Sequence, residues 1–174
     1  MRRLALDGIV PNAGHLALVR LQAAWPDRVT LVTQNIDGLL TIAGASDVIE
    51  MHGAIRKLRC AADEGHPWVD VVGAQDRDAC CGCGAPLRPA IVWFGEVPLH
   101  MERVAHALLA CTTFVSVGTS GLVYPAAGFA QAARKLGARC IEVNPEPVGG
   151  PFHEVIAEGA EVALPRLVDA WLAT

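Results

Sequence analysis

Three short apolar runs that end in small or polar residues, separated by helix-period segments, constrain this chain more than any other feature. "RVTLVT" leads into Gln34, Asn35, Ile36 and Asp37; "TFVSV" leads into Gly118, Thr119 and Ser120; "RCIEV" leads into Asn144, Pro145 and Glu146. Such short, nearly continuous β-branched runs are the pattern of strands buried on both faces. "VIEMH" repeats the pattern more weakly. Between the runs, "PNAGHLALVRLQAAW" opens on Pro11 and Asn12 as helix-start signals. Its spacing puts Leu16, Val19 and Ala23 on one helical face, with Leu18 and Leu21 flanking it. "MERVAHALLACT" and "PAAGFAQAARKLG", the second stopped at Gly137, are further helices. "AEVALPRLVDAWLA" reads as a short strand followed by a terminal helix. Repeated strand, loop and helix units predict a parallel α/β sheet covered by helices.

In such a sheet ligands bind outside the carboxyl ends of the strands, and the three polar clusters fall there. Singly, each is an ordinary turn or loop. Together they say more. Small hydroxyls and backbone N–H groups at helix starts suit phosphates, while an amide and a carboxylate at a neighbouring strand end suit ribose hydroxyls. The arrangement predicts a nucleotide.

Residues 54–93 carry different chemistry. Cys80 and Cys83 stand at the C-x-x-C spacing that lets two thiolates meet one tetrahedral zinc, and Cys60 supplies a third thiol. The partner of Cys60 is not spelled out, because Asp63 stands three residues on where a second cysteine would complete the pair. Asp63, His66 or Cys81 would fill the fourth position, and a ribbon that keeps its shape without metal is the alternative. Cys111 and Cys140 read as small core residues. The start "MRRLALDGIV" is too short in its apolar part for a secretory signal, so clustered cysteines favour metal over disulfides and a reducing cytoplasm is expected. The 174 residues, 52% apolar, suffice for one substantial core and a small satellite module. A net charge of −4 without a basic block argues against a nucleic-acid or membrane-surface partner, and no apolar run reaches spanning length.

"TQNIDGL", "MHG", "C…CxxCG", "LRPAIVWFGEVP", "VGTSGLVYPAA" and "EVNPEP", in this order, resemble the sirtuins, NAD-dependent protein-lysine deacylases. The likeness is greatest to the bacterial type close to the mitochondrial desuccinylating and demalonylating enzymes, and it runs from Pro11 onward. It implies an α/β fold: a Rossmann-like parallel sheet, lacking its first strand and phosphate loop, with a small inserted zinc-ribbon module. Residues 1–53 and 94–174 would form the NAD-binding domain, and 54–93 the module.

The resemblance also implies roles. Gln34, Asn35, Ile36 and Asp37 would line the nicotinamide-ribose pocket, with Asp37 accepting from the nicotinamide carboxamide. Gly118, Thr119, Ser120, Asn144, Pro145, Glu146 and Ala160 would hold the rest of NAD. His52 would be the general base, a task that suits an imidazole near neutral pH, and Asn35 would share the catalytic centre. Val92, Phe94, Gly95 and Glu96 would pair with an extended acyl-lysine peptide, with Val123 and Tyr124 on its other side. Trp93 and Phe94 would wall a tunnel for the lysine stem. Cys60, Cys80 and Cys83 would bind Zn2+. His15, His100, His106 and His153 read as surface or helix-face residues. The implied chemistry has the acyl oxygen attack the anomeric carbon as nicotinamide leaves. His52 then helps a ribose hydroxyl attack the resulting alkylimidate, giving free lysine and O-acyl-ADP-ribose.

The sequence departs from the family pattern at its start. The Gly-Ala-Gly loop, the Ser-Gly-Ile-Pro-like segment ending in Phe-Arg, and the Tyr-x-x-Arg pair that reads acidic acyl groups have no counterpart in it. On this reading the chain is N-terminally incomplete, its own deacylase activity is expected to be low, and its acyl preference is unassigned. A non-catalytic remnant binding a nucleotide or protein partner is the second reading. A zinc-ribbon nucleic-acid binder ranks last for want of a basic face.

Overall fold

The computed structural model describes residues 4–71, 73 and 81–174. The first helix, α1 (Ala13–Ala24), begins where Asn12 closes a reciprocal cap. The Asn12 side-chain oxygen accepts the His15 N–H at 3.1 Å, and His15 Nδ1 accepts the Asn12 N–H at 3.2 Å. Two backbone donors at the helix start are thereby satisfied.

The face α1 buries is Gly14, Ala17 and Leu21, not the expected Leu16, Val19 and Ala23; Leu16 and Ala23 are exposed. The cause is the terminal helix α5 (Ala160–Leu172). It approaches so closely that a Cβ on Gly14 would stand 2.8 Å from the Ala160 carbonyl oxygen, so the smallest residues of α1 define the contact. Helical from Ala160 onward, α5 also replaces the strand expected at "AEVAL". Ala163, Leu164 and Val168 recur at helical spacing and are buried, and Pro165 is carried inside the helix. The last strand lies upstream, at Glu154–Ile156.

The parallel strands form two sheets. In the first, β1 (Val32–Thr33) pairs with β2 (Ile49–Glu50). In the second, β6 (Thr113–Val117) pairs with β7 (Arg139–Val143), and β7 with β8 (Glu154–Ile156). Ile141 and Val143 of β7 pack on α1 and α5, while Cys140 packs against Ala133 of α4 (Phe129–Lys135) on the opposite face. A strand covered on both faces buries consecutive residues, and Cys140 to Val143 are all buried, Glu142 among them, while Arg139 is exposed. Cys111 is half-buried against Cys140, and burial raises the pKa of both thiols, as expected of core cysteines.

Residues between the two parallel sheets build a third, antiparallel sheet in the order β4 (Val69–Asp70), β3 (Gly53–Cys60), β5 (Leu87–Ile91). Two short helices, α2 (Leu39–Ile42) and α3 (Met101–Ala110), follow β1 and β5 in the chain. Among the described residues no helix is long and apolar enough to cross a membrane.

Candidate functional site: a polar cleft and a thiol cluster

Strand β1 ends at Thr33, and the chain turns at once through Gln34 to Gly38. The turn is held locally. Thr33 Oγ1 accepts the Asn35 N–H at 3.0 Å, and Asp37 Oδ1 accepts the Leu39 N–H at 2.9 Å, starting α2. Across from it, β6 ends at Gly118, whose N–H reaches the Val143 carbonyl at 2.9 Å. The two strand ends meet through Gln34 Nε2, 3.4 Å from Thr119 Oγ1. Asn144, after β7, donates through Nδ2 to the Thr119 carbonyl at 2.9 Å and accepts the Glu146 N–H at 3.2 Å. The three clusters expected to cooperate therefore form one hydrogen-bonded rim.

Gln34, Asn35, Asp37, Gly118, Thr119, Ser120 and Ala160 line a single cleft of about 1610 Å³. The cleft is larger than this polar rim. It continues between the edges of β1 and β6, past Leu31 to Thr33 and Thr113 to Val117. Ile36, His52, Asn144, Pro145 and Glu146 are not among its lining residues; Ile36 instead accepts the Ile55 N–H at 2.9 Å, joining the turn to β3.

His52 stands behind Gln34, its Nδ1 2.9 Å from the Gln34 carbonyl oxygen. A carbonyl only accepts, so Nδ1 donates to it, which in the neutral tautomer leaves the lone pair on Nε2. The following glycine fixes the ring's position. Gly53 has φ 77°, and a side chain there would run into the Ala90 carbonyl on β5, so the backbone can pass this close only without a Cβ. The His52 carbonyl in turn accepts the Val92 N–H at 2.9 Å, tying His52 to the next loop.

That loop exposes apolar surface. Phe94, Trp93 and Val97 stand out from it, and Leu122, Val123 and Tyr124 are exposed on the segment after β6. Glu96 behaves differently from its neighbours. Its carboxylate takes a two-pronged contact from Arg88, at 2.7 and 3.0 Å, and the Trp93 N–H at 3.0 Å. The Arg88 guanidinium holds the Glu96 carboxyl down at about 2, with the Trp93 N–H adding to the effect. Arg88 also lies over the Trp93 ring, 4.9 Å from its centre.

At the far end of β3, Cys60, His66, Cys81 and Cys83 bring one ligand atom each within 4.8 Å of one another. Cys60 Sγ is 3.7 Å from Cys83 Sγ, and His66 Nδ1 is 3.1 Å from Cys81 Sγ. Two sulfurs at Zn–S bonds of about 2.3 Å on a tetrahedral ion stand roughly 3.8 Å apart, so the donor set and its spacing fit zinc. Hydrogen bonds, first from the Ala62 N–H, lower the Cys60 thiol to about 6, favouring the thiolate that binds metal. Asp63 lies 3.4 Å from His66 Nε2, placed to steady the ring behind the metal rather than to bind it. Of the expected ligands, Cys60 and Cys83 are in this cluster, His66 and Cys81 complete it, and Cys80 lies outside the described residues.

Three contributors were not anticipated from the sequence: Arg59, Arg88 and Glu142. Glu142 is 1% exposed, and its Oε1 accepts the Val148 N–H at 2.9 Å, pinning the loop that carries Asn144 and Glu146. A charged residue within "RCIEV" was the available signal, since a strand buried on both faces rarely carries one; here one oxygen takes the Val148 N–H and the buried Oε2 has no hydrogen-bond partner among the described residues.

The Sir2 family model matches residues 1–125, starting ahead of the Pro11 at which the motifs begin. A protein of Shigella flexneri called NAD-dependent protein deacylase is 46% identical over 174 residues, covering 98% of this chain and 64% of its own length. A protein of the same description from Yersinia pseudotuberculosis is 42% identical over 176 residues, covering 99% and 63%. The chain thus spans a little under two thirds of the length of these relatives. Among solved structures, a crystal structure of a Sir2 homolog–NAD complex aligns with a TM-score of 0.87 at 28% identity, covering 97% of this chain and 68% of that one.

Proposed function

The chain belongs to the Sir2 family, and from that premise we propose that it acts as an NAD-dependent protein-lysine deacylase, passing an acyl group to ADP-ribose with release of nicotinamide. One observation carries this reading: the rim formed by Gln34, Thr119 and Asn144 stands beside a histidine whose Nδ1 is occupied by the Gln34 carbonyl. A nucleotide site and a base with its lone pair on Nε2 then share one backbone segment. NAD would supply the electrophilic ribose carbon. Gln34, Asn35, Ile36 and Asp37 would surround its nicotinamide half, and Gly118, Thr119, Ser120, Asn144, Pro145, Glu146 and Ala160 the remainder. His52 would accept the proton of the attacking ribose hydroxyl. Val92, Phe94, Gly95, Val123 and Tyr124 would take the acyl-lysine peptide by strand addition, supported by the exposure of this apolar surface beside His52. Glu96 would position that loop.

In this reading 1–53 and 94–174 form the NAD-binding domain, and 54–93 a zinc module held by Cys60, His66, Cys81 and Cys83. Thiols needed reduced for metal suit the cytoplasm. Its test pairs binding with turnover. Calorimetry with ADP-ribose should give saturable binding, and acetyl- and succinyl-lysine peptides should release nicotinamide in the presence of NAD. His52→Ala should lower the steady-state yield of free lysine at least about 100-fold while ADP-ribose affinity changes by less than about threefold, because a base acts on the transition state of the step that follows nicotinamide departure. Binding without any nicotinamide release would reduce the function to nucleotide binding, and no binding would overturn it.

A further inference from the structure

Arg59 touches both ends of the antiparallel sheet's chemistry. It follows Leu58 on β3 and directly precedes the cluster ligand Cys60. Its Nη1 donates to Glu64 at 2.8 Å, in the loop between Cys60 and His66, and its Nη2 stands 3.5 Å from Glu96 Oε2. The side chain is only 11% exposed, whereas Glu64 is 84% exposed. A buried guanidinium needs its partners, and here they belong to two different sites. Glu96 is at the same time fixed by Arg88 and by the Trp93 N–H, so its carboxylate closes the loop 92–96 on itself. Arg88 stands on β5 directly opposite Arg59 of β3, in register.

We propose that Glu64, Arg59, Glu96 and Arg88 form a charge relay that couples metal occupancy of the thiol cluster to the order of the loop 92–97, and thereby to peptide binding. Its last step rests on the deacylase reading; the coupling itself does not. The physical reason is the position of Glu64. Ligation of Cys60 and His66 fixes the loop between them, and with it the carboxylate that holds Arg59 against Glu96. When the loop loosens, Glu64 no longer fixes the guanidinium of Arg59, and the support that Arg59 gives Glu96 beside the Arg88 and Trp93 contacts weakens. Arg59 and Glu96 are on this account positioning residues, not groups that meet substrate.

Amide hydrogen exchange measured by mass spectrometry on the full chain, with and without a zinc chelator, tests the coupling without any ligand. Chelation should speed exchange in 92–97 by about tenfold, while Arg139–Val143 of β7 changes far less. In Arg59→Met the loop should exchange fast from the start, with no further response to chelator although the protein still binds zinc. Glu64→Gln, a surface change that does not threaten folding, should reduce the response at least by half. The same chelation should weaken a fluorescent acetyl-lysine peptide and leave ADP-ribose affinity in place. Unchanged exchange in 92–97, or a uniform rise along the whole chain, would overturn the coupling. A coupled loop with no peptide affinity in the metal-loaded protein would overturn its last step together with the deacylase reading, and leave the relay standing.

Discussion

Single side chains show most clearly what a sequence displays and what it conceals. Asp37 and His52 are assigned roles by the motifs "TQNIDGL" and "MHG", and the structure places them at the turn after β1 and just ahead of β3, with His52 Nδ1 on the Gln34 carbonyl. The resemblance puts Glu96 in the segment that pairs with a peptide through its main chain, and the structure adds that its carboxylate is engaged by Arg88 and the Trp93 N–H. Nothing in the run announces a partner eight residues upstream on another strand. Its depressed pKa gives a signed prediction. A glutamate at about 2 in the folded chain and near 4.5 unfolded stabilises fully above pH 4.5, and that stabilisation is lost as pH falls from 4.5 through about 2. Melting temperatures of the protein and of Glu96→Gln should therefore differ by a constant amount near neutral pH and converge in that acid window; a gap that does not narrow would mean the ion pair adds nothing. Ligand choice is a second residue-scale question. The C-x-x-C spacing selects Cys80 with Cys83; among the described residues Cys81 stands with Cys83 in the cluster, and Cys80 lies outside them. Cys81→Ser should lower bound zinc, measured by elemental analysis, to well under half an equivalent. Retention of a full equivalent would return the position to another side chain.

Elements were legible where the period was unambiguous and misread where a neighbour decided. The strands at "TFVSV" and "RCIEV" came through in place, since continuous β-branched runs between helices have few other uses. The buried face of α1 did not, because size overrode hydrophobicity: Gly14 and Ala17 admit α5 where Leu16 would hold it off. "AEVAL" reads equally as strand or helix in isolation, and its burial against α1 selected the helix. That contact predicts the effect of one methyl group. Gly14→Ala should improve intrinsic helix propensity by about 1 kcal/mol. The new Cβ would meet the Ala160 carbonyl at 2.8 Å, and backbone on both sides cannot yield without parting the helices. A net loss of about 1 to 2 kcal/mol in denaturant unfolding is expected, as for other overpacked contacts. A stabilised variant would show that α1 and α5 separate freely. Since Ala160 also lines the cleft, ADP-ribose affinity should fall with it.

At the scale of the whole molecule the chain holds two kinds of stabilisation in separate places. The principal buried cluster joins α1, α5 and β7, and the second joins α4 with β7; neither includes a residue of β3, β4 or β5. The antiparallel sheet relies on its hydrogen-bonded strands, on Ile55 and Leu58 beneath it, and on the thiol cluster at the end of β3. Its ties to the polar rim include, among the described residues, backbone bonds from Ile55 to Ile36 and from Val92 to His52. Removing metal should consequently unlock the sheet without dissolving the apolar core, because a structural zinc contributes to folding of the segment that ligates it. Truncating the core acts elsewhere: Leu164→Ala, at a side chain 1% exposed, should cost about 2 to 5 kcal/mol. Effects on two such units should add to within about 0.5 kcal/mol, the behaviour of distant sites without shared partners. Denaturant unfolding of the protein and of Leu164→Ala, each with and without chelator, measures this directly. A coupling energy of several kcal/mol would mean that the metal sheet and the helical core unfold as one, and that His52, at the seam between them, draws its rigidity from both.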